Sequence, residues 1–506
     1  MTEEVFWYSH LEALEEVARR EAAIIVDAFR ERGIDIGGAI DQAEHDRDIH
    51  RGGIAFMYDR NHILTRVRYL GGAGGMRGPQ RLSEAGTLRG VLDVLQDVLQ
   101  RDDDRYPEVE VIRVAGDVVL LCLNPRGHKH TRDYADYGGG ERGEHVDVLE
   151  ILRLIDEELG EGVATPDHVL TAAQSLRPCS ATEPQQVYPT AGPYPAPCRD
   201  GGARVRIFQA DTGLLTDAAV TFPWLAGVHG DPDPRAGYLN SNIRPYGGHG
   251  TFVAGVLRCM APHAQVHVSN IFGTAGSARE SDVATLLKAT AFRFGFEILH
   301  ITASGFTRKN IPPLALEGFL KLLRPYKGVL CVAEAGNNHT RRPAWPGAFP
   351  DVLSVGALAT DWRHYADFTN YGGWVDVYAP GENLVNAFGS GTYKCQIPPN
   401  VGQLRTFSGL AQWSGTSFSA PIVTGLIAAR MTRTGESARE AAAVLLARAR
   451  AQAIPGVGPV LFPGCDDDEH CGHGEGRGRC GCAGDCAPRD LCGCGGGHSR
   501  PGHMPR

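Results

Sequence analysis

The chain has 506 residues, room for roughly three domains at about 150 residues each, and its 42% hydrophobic and 22% charged content is that of a globular protein with a sizeable core. That composition excludes wholesale disorder, and a formal charge of -9 gives no support to nucleic-acid binding, which needs concentrated Lys and Arg. No run of about 18 apolar residues occurs, so no membrane-spanning helix is expected, and the acidic start MTEEVFWYSH lacks the positive charge of a secretory signal. The default compartment is therefore the cytoplasm, with export by a non-standard route as the alternative.

Residues 9–32 read as an amphipathic helix. Ser9 and Glu12 suit a capping box, and Leu11, Leu14, Val17, Ile24, Ile25 and Phe29 recur at helical spacing before Gly33. HILTRVRYL (62–70) reads as a strand running into GGAGG, and a second helix is expected from about Leu88 to Gln100. The glycine run lacks the GxGxxG spacing and a following Lys-Ser/Thr, so it reads as a connector and not as a phosphate loop. Residues 1–104 are expected to form an accessory α+β module.

VEVIRVA and DVVLLCLNP predict two strands joined by a turn at Gly116-Asp117, followed by a helix from Val146 to Leu159 and the segment GVATPDHVLTA. This defines a second unit over 105–178. Residues 179–203 are rich in Pro and Gly and read as a linker. From 204 to 456 strands and helices alternate. Strands are expected at 205–210, 265–272, 297–303, 328–335 and 351–358, and helices at 281–294 and 314–324. Short β-rich apolar runs separated by helices predict an α/β fold, a parallel sheet flanked by helices. Residues 457–506 form a Cys/Gly/His-rich tail that cannot build a core.

Three segments of the α/β region carry chemistry. Asp211-Thr212-Gly213 ends an apolar strand on a carboxylate, at the edge where open α/β sheets line their crevice. A turn or helix cap is the bland reading of such an Asp. GGHGTFVAGVL sets His249 beside a glycine at the start of a helix, and imidazole titrates in the range a general base needs. SGTSFSAPIVTG places Ser417 at a helix N-terminus, where backbone N–H groups face a developing oxyanion, and sets Pro421 in the first turn. A Ser/Thr cap would explain the hydroxyl but not the whole string.

Together, Asp211-Thr212-Gly213, His249-Gly250-Thr251 and Gly415 to Pro421 resemble the signature blocks of subtilisin-like (S8 family) serine proteases, in that family's order Asp, His, Ser. CVAEAGNN is similar to the segment supplying that family's oxyanion-hole asparagine, here Asn337. The resemblance implies that Ser417 attacks the scissile carbonyl, His249 carries the proton, Asp211 orients the imidazole and Asn337 binds the oxyanion. It also implies a substrate-pairing strand at Thr302, Ala303, Ser304 and Gly305, where an extended protein or peptide substrate adds by β-augmentation. Phe252 stands where many relatives carry a second histidine, and 389–412 looks like an insertion near the site. Asp231 and Asp233 make no defensible calcium ligand series.

The strand–strand–helix order of 106–172 resembles a family prosegment, which would make it an intramolecular inhibitor with cleavage between about Val169 and Gly202. The rival reading is a permanent accessory domain. TPDHVL and the Pro- and Cys-bearing linker also resemble actinobacterial mycosin-type relatives.

Catalysis of this kind requires no cofactor. The tail cysteines Cys465, Cys471, Cys480, Cys482, Cys486, Cys492 and Cys494, with nearby histidines, suit zinc, although CxC pairs are not zinc-ribbon spacing. Disulfides after export and a tail without fixed structure are the other readings. Cys122, Cys179, Cys198, Cys259, Cys331 and Cys395 are expected as thiols, with Cys179–Cys198 a pair only after export.

Overall fold

The computed structural model describes residues 19–39, 54–71, 89–99, 109–123, 147–172, 182–187, 192–195, 205–236 and 242–463. The tail cysteines, and Cys179 and Cys198, lie outside these residues.

The N-terminal half opens with helix α1 (19–30). It continues through strands β1 (Ile36–Ala39) and β2 (Phe56–Arg66), helix α2 (Val91–Leu99), strands β3 (Glu110–Arg113) and β4 (Val118–Cys122), helix α3 (Val148–Leu159) and strand β5 (Ala164–Thr171). Helix α3 has a local cause. Asp147 caps α3 by accepting from the Leu149 N–H at 2.9 Å, and Val148, Ile151, Leu152 and Ile155 recur along its buried face. Gly116 turns β3 into β4 with φ of 59°. One antiparallel sheet results, with β2 lying between β5 and β4. The expected division at 104/105 therefore runs through this sheet: β2, from the first segment, is its central strand. Pairing across so long a sequence gap is not encoded in local periodicity.

The second half supplies β6 (Arg206–Asp211), α4 (Ala218–Thr221), β7 (His229–Gly230), β8 (Asn242–Ile243), α5 (His249–Met260), β9 (Gln265–Asn270), β10 (Ser277–Arg279) and α6 (Glu280–Phe294). There follow β11 (Ile298–Ile301), α7 (Leu314–Leu323), β12 (Leu330–Glu334), β13 (Val352–Leu358) and β14 (Val377–Pro380). The last elements are β15 (Leu384–Lys394), β16 (Leu404–Trp413), α8 (Thr416–Thr434) and α9 (Ala438–Ala451).

Seven of these strands form a parallel sheet in the order β14-β13-β12-β11-β6-β9-β7. Its strands are apolar on both faces because both are covered. Ile207, Ile298 and Val332 face the core under α5 and α8, whereas Phe208, Leu299 and Ala333 face the core under α6 and α7. Full burial of each large aliphatic or aromatic side chain contributes roughly 1.5–3 kcal/mol. The sheet starts at β6, goes to β9 on one side and returns to β11 on the other, so the strand order reverses at β6/β11. The crevice beyond the carboxyl ends of those strands is where such sheets bind ligands.

β5 belongs to both halves. It closes the N-terminal sheet and pairs antiparallel with β10, Leu170 opposite Ala278. Helix α1 covers it, burying Phe29 and Ile25 against Val169 and Ala275. Ion pairs fasten the junction, among them Arg279 to Asp59 at 2.7 Å and Arg308 to Asp156 at 2.7 Å. The described linker residues, 182–187 and 192–195, are likewise laid down on structure. Gln185 and Tyr194 bridge to Gln412 and Val385 of the β15–β16 hairpin, and Glu183 accepts from the Tyr393 hydroxyl at 2.8 Å. The expected insertion at 389–412 is the outer part of that hairpin. No helix among the described residues is long and apolar enough to cross a membrane.

Candidate active site

Asp211 is the last residue of β6, and its carboxylate is fully buried. Its oxygens accept from His249 Nδ1 at 2.7 Å, the Thr212 N–H at 2.7 Å, Gln209 Nε2 at 3.0 Å and Thr302 Oγ1 at 2.5 Å. Burial alone would raise the Asp211 pKa, but the His249 charge and these donors hold it below the ordinary carboxylate value. The same pairing keeps His249 above the ordinary imidazole value despite a burial cost that pulls it down.

Glycines make this approach possible. Gly248, the N-cap of α5, has φ of 84°, and a Cβ there would meet the Phe388 ring at 2.9 Å. A Cβ on Gly250 would lie 2.2 Å from the Gly213 carbonyl. Asp233 fixes the turn from beneath by accepting from the Gly248 N–H at 2.7 Å, and burial raises its pKa to about 6. Asp231 accepts from Ser269 Oγ at 2.9 Å and the Asn270 N–H at 3.0 Å. These two carboxylates thus serve the loops around His249, and no cluster of three or more metal-ligating side chains occurs among the described residues.

Phe252 is buried against Phe418, ring centroids 4.5 Å apart, and against Trp413. Trp413, at the end of β16, meets the His249 ring edge-on at 5.5 Å. The hairpin therefore shapes the wall behind the imidazole.

Ser417 is the second residue of α8, almost fully buried, so the helix N-terminus points at the crevice. Pro421 is the sixth residue of that helix and lies in its second turn, not the first as expected. Its missing N–H leaves the Ser417 carbonyl without the usual i+4 donor. Asn337 follows β12. Its Oδ1 accepts from the Thr416 N–H at 2.8 Å and Thr416 Oγ1 at 2.9 Å, while its Nδ2 is buried with no hydrogen-bond partner. An orphaned buried donor costs about 1–3 kcal/mol and signals a ligand atom to come.

The segment 302–305 divides its work. Thr302 holds Asp211, Ala303 is buried in the core under α6 and α7, and Gly305 pairs with Trp345. Ser304 pairs with Thr171 of β5 through two backbone bonds of 2.9 and 3.0 Å. The chain then continues along the crevice. The Ala172 N–H donates to the Gly276 carbonyl at 2.7 Å, and the Ala172 carbonyl accepts from Ser417 Oγ at 2.9 Å.

Sequence alone gives Glu334 no role. It ends β12, is fully buried, and its carboxyl meets Ser417 Oγ, Thr416 Oγ1 and Ser304 Oγ. The readable signal is an acidic residue in the buried apolar run LCVAE, three positions before Asn337.

Residues 225–459 match the model of the subtilase family, Peptidase S8. Subtilisin Savinase of Lederbergia lenta is 26% identical over 237 residues, 45% of this chain and 76% of that protein. An alkaline protease of Alkalihalobacillus alcalophilus is 26% identical over 237 residues, 45% of this chain and 54% of its own, so the chain spans about half the length of that relative. Among solved structures, fervidolysin from Fervidobacterium pennivorans has a TM-score of 0.46 at 16% identity, covering 84% of this chain and 61% of that one. Residues 225–459 belong to the subtilase family, and β6 with Asp211, which pairs with β9 and β11 of the same sheet, lies just before them.

Proposed function

We propose that the chain is a serine endopeptidase and that residues 56–172 act as its own inhibitory prosegment. One observation carries this reading: an extended strand pairs with Ser304 and brings the Ala172 carbonyl to the hydroxyl of Ser417. Extended pairing is how a peptide substrate would be presented.

In the proposed reaction Ser417 Oγ bonds to the carbonyl carbon while its proton passes to His249 Nε2, the nitrogen not engaged with Asp211. Asp211 stabilises the imidazolium, and the Asn337 amide gains in the oxyanion the partner it lacks. His249 then returns the proton to the leaving amine, and water hydrolyses the acyl-enzyme by the reverse steps. The substrate class is peptide or protein, and the chemistry needs no cofactor. Zinc in the Cys/His tail is a separate proposal, decided by metal content of the purified chain.

A second reading, a peptide-binding module without turnover, draws on Ser417 facing Glu334 and Ala172 without a hydrogen bond to His249. Reaction with a fluorophosphonate probe separates the two. A single adduct on wild type, absent from Ser417→Ala, supports the protease. No adduct, even after mild proteolysis to release the prosegment, supports the binding module.

A further inference from the structure

Hydrogen-bond accounting around Glu334 leaves one proton short. Ser417 Oγ carries a single hydrogen yet has two acceptors in reach, the Ala172 carbonyl at 2.9 Å and Glu334 Oε2. The Thr416 hydroxyl also touches Oε2, at 3.3 Å, but Asn337 Oδ1 is nearer at 2.9 Å and takes its proton. Thr416 Oγ1 meanwhile accepts from the Gly336 N–H at 3.1 Å. Ser304 Oγ supplies Oε1 at 3.1 Å. Both Ser417 contacts are satisfied at once only if Oε2 carries its own proton and donates it to Ser417 Oγ.

We propose that Glu334 is a catalytic residue of this site: protonated, it donates to Ser417 Oγ and leaves the serine proton free for His249, and ionised, it takes that proton's hydrogen bond for itself. The inference rests on the protease reading above. Glu334 forms no covalent bond and keeps its proton through acylation. The serine proton goes to His249, as the new bond to the carbonyl carbon forms, and on to the leaving amine.

The surroundings agree. Glu334 is fully buried at the end of β12, and that burial raises its pKa to about 7, only partly offset by the Ser417 bond and the His249 charge. His249, from α5 with Asp211 of β6 behind it, is the charged group acting on Glu334. From α8 it meets Thr416 and Ser417, and from the 302–305 segment Ser304, all hydroxyls. A carboxyl beside hydroxyls and one imidazole can hold its proton into the neutral range.

Because activity then needs both a neutral His249 and a neutral Glu334, the pair gives a bell-shaped profile. The rate of fluorophosphonate adduct formation on the full chain, read from pH 5 to 10, is expected to fall about tenfold per pH unit on the alkaline side. Glu334→Gln, isosteric and still a donor but unable to ionise, is expected to abolish that fall. Ser304→Ala, which removes a donor to the carboxylate, is expected to move the alkaline midpoint upward. A Glu334→Gln profile that parallels wild type at every pH, or is lowered equally throughout, overturns the proposal.

Infrared difference spectra keep the two readings distinguishable if no protein reacts, a result that counts against the protease itself. A protonated-carboxyl band at pH 6 that is absent from Glu334→Gln and bleaches by pH 9 supports Glu334 as the proton donor. Its absence from wild type overturns that role.

Discussion

The two sides of the crevice are built differently. On the Asp211–His249 side four donors fill the carboxylate, glycines close the backbone around it, and Asp233 ties the turn that carries the imidazole. On the Ser417–Asn337 side the amide Nδ2 lacks a partner and one hydroxyl proton faces two acceptors. The Asp211 carboxylate is finished in the absence of substrate, with Gln209 Oε1 beside it the buried atom that lacks a partner on this side. The second side is completed only by what enters it, which is how preorganised sites concentrate their stabilisation on the transition state.

Substitutions can break this contrast. The largest effect is expected from Ser417→Ala, a loss of about 10⁶ in kcat, measured with a chromogenic peptide on protein whose circular dichroism matches wild type. Turnover retained above about one tenth would remove Ser417 from the role of nucleophile. Asn337→Ala is expected to lower kcat by roughly 10²–10³ with little change in KM, because the orphaned amide finds its partner only in the oxyanion. An unchanged kcat with a raised KM would instead make Asn337 a ground-state contact.

The Asp211 side should respond in stability before rate. Thr302→Val deletes a hydroxyl donating to buried Asp211 and is expected to cost about 1.5–3 kcal/mol in denaturant unfolding at neutral pH. Asp211 titrates below its ordinary value, so its contribution is present above that value and lost as pH falls through the folded one. The gap between variant and wild type should therefore narrow in acid. A gap constant with pH would mean that Thr302 acts by packing alone.

The smallest expected effect lies at the junction with β5. Glu280 meets His168 Nδ1 at 2.8 Å with both side chains fully buried, and burial raises the Glu280 pKa to about 8. A carboxyl raised in the docked state contributes fully below its free value, near 4.5, and loses that contribution as pH rises through 8. The Glu280 contribution should fall by at most about tenfold per pH unit. His168, whose pKa burial lowers to about 3, opposes it up to the free imidazole value of 6.5. The weakening is therefore read above that pH, as faster amide exchange at Val169 to Thr171. Exchange that slows with rising pH, after correction for intrinsic rates, would contradict that sign.

What could be read from the sequence follows from how local each feature is. Asp211, His249 and Ser417 announce themselves because the backbone beside them must be glycine or small, as the 2.2 Å approach at Gly250 requires. The strands of the parallel sheet are legible because burial on both faces makes them continuously apolar. Glu334 stays silent because its meaning depends on hydroxyls from two separate segments, which nothing in LCVAE reveals. The place of β2 in the N-terminal sheet is hidden for the same reason, since its partners β4 and β5 come from far along the chain. β10 is three residues long and exists as a strand because β5 lies beside it.

The proposed function makes β5 the first substrate of the chain's own site. Intact mass of freshly purified wild type and Ser417→Ala, followed over hours, tests it most directly. Wild type is expected to divide between Ala172 and Ala173 while Ser417→Ala stays whole. Division of both proteins at the same bond, or a wild type that remains undivided while Ser417 reacts with a fluorophosphonate, would contradict it.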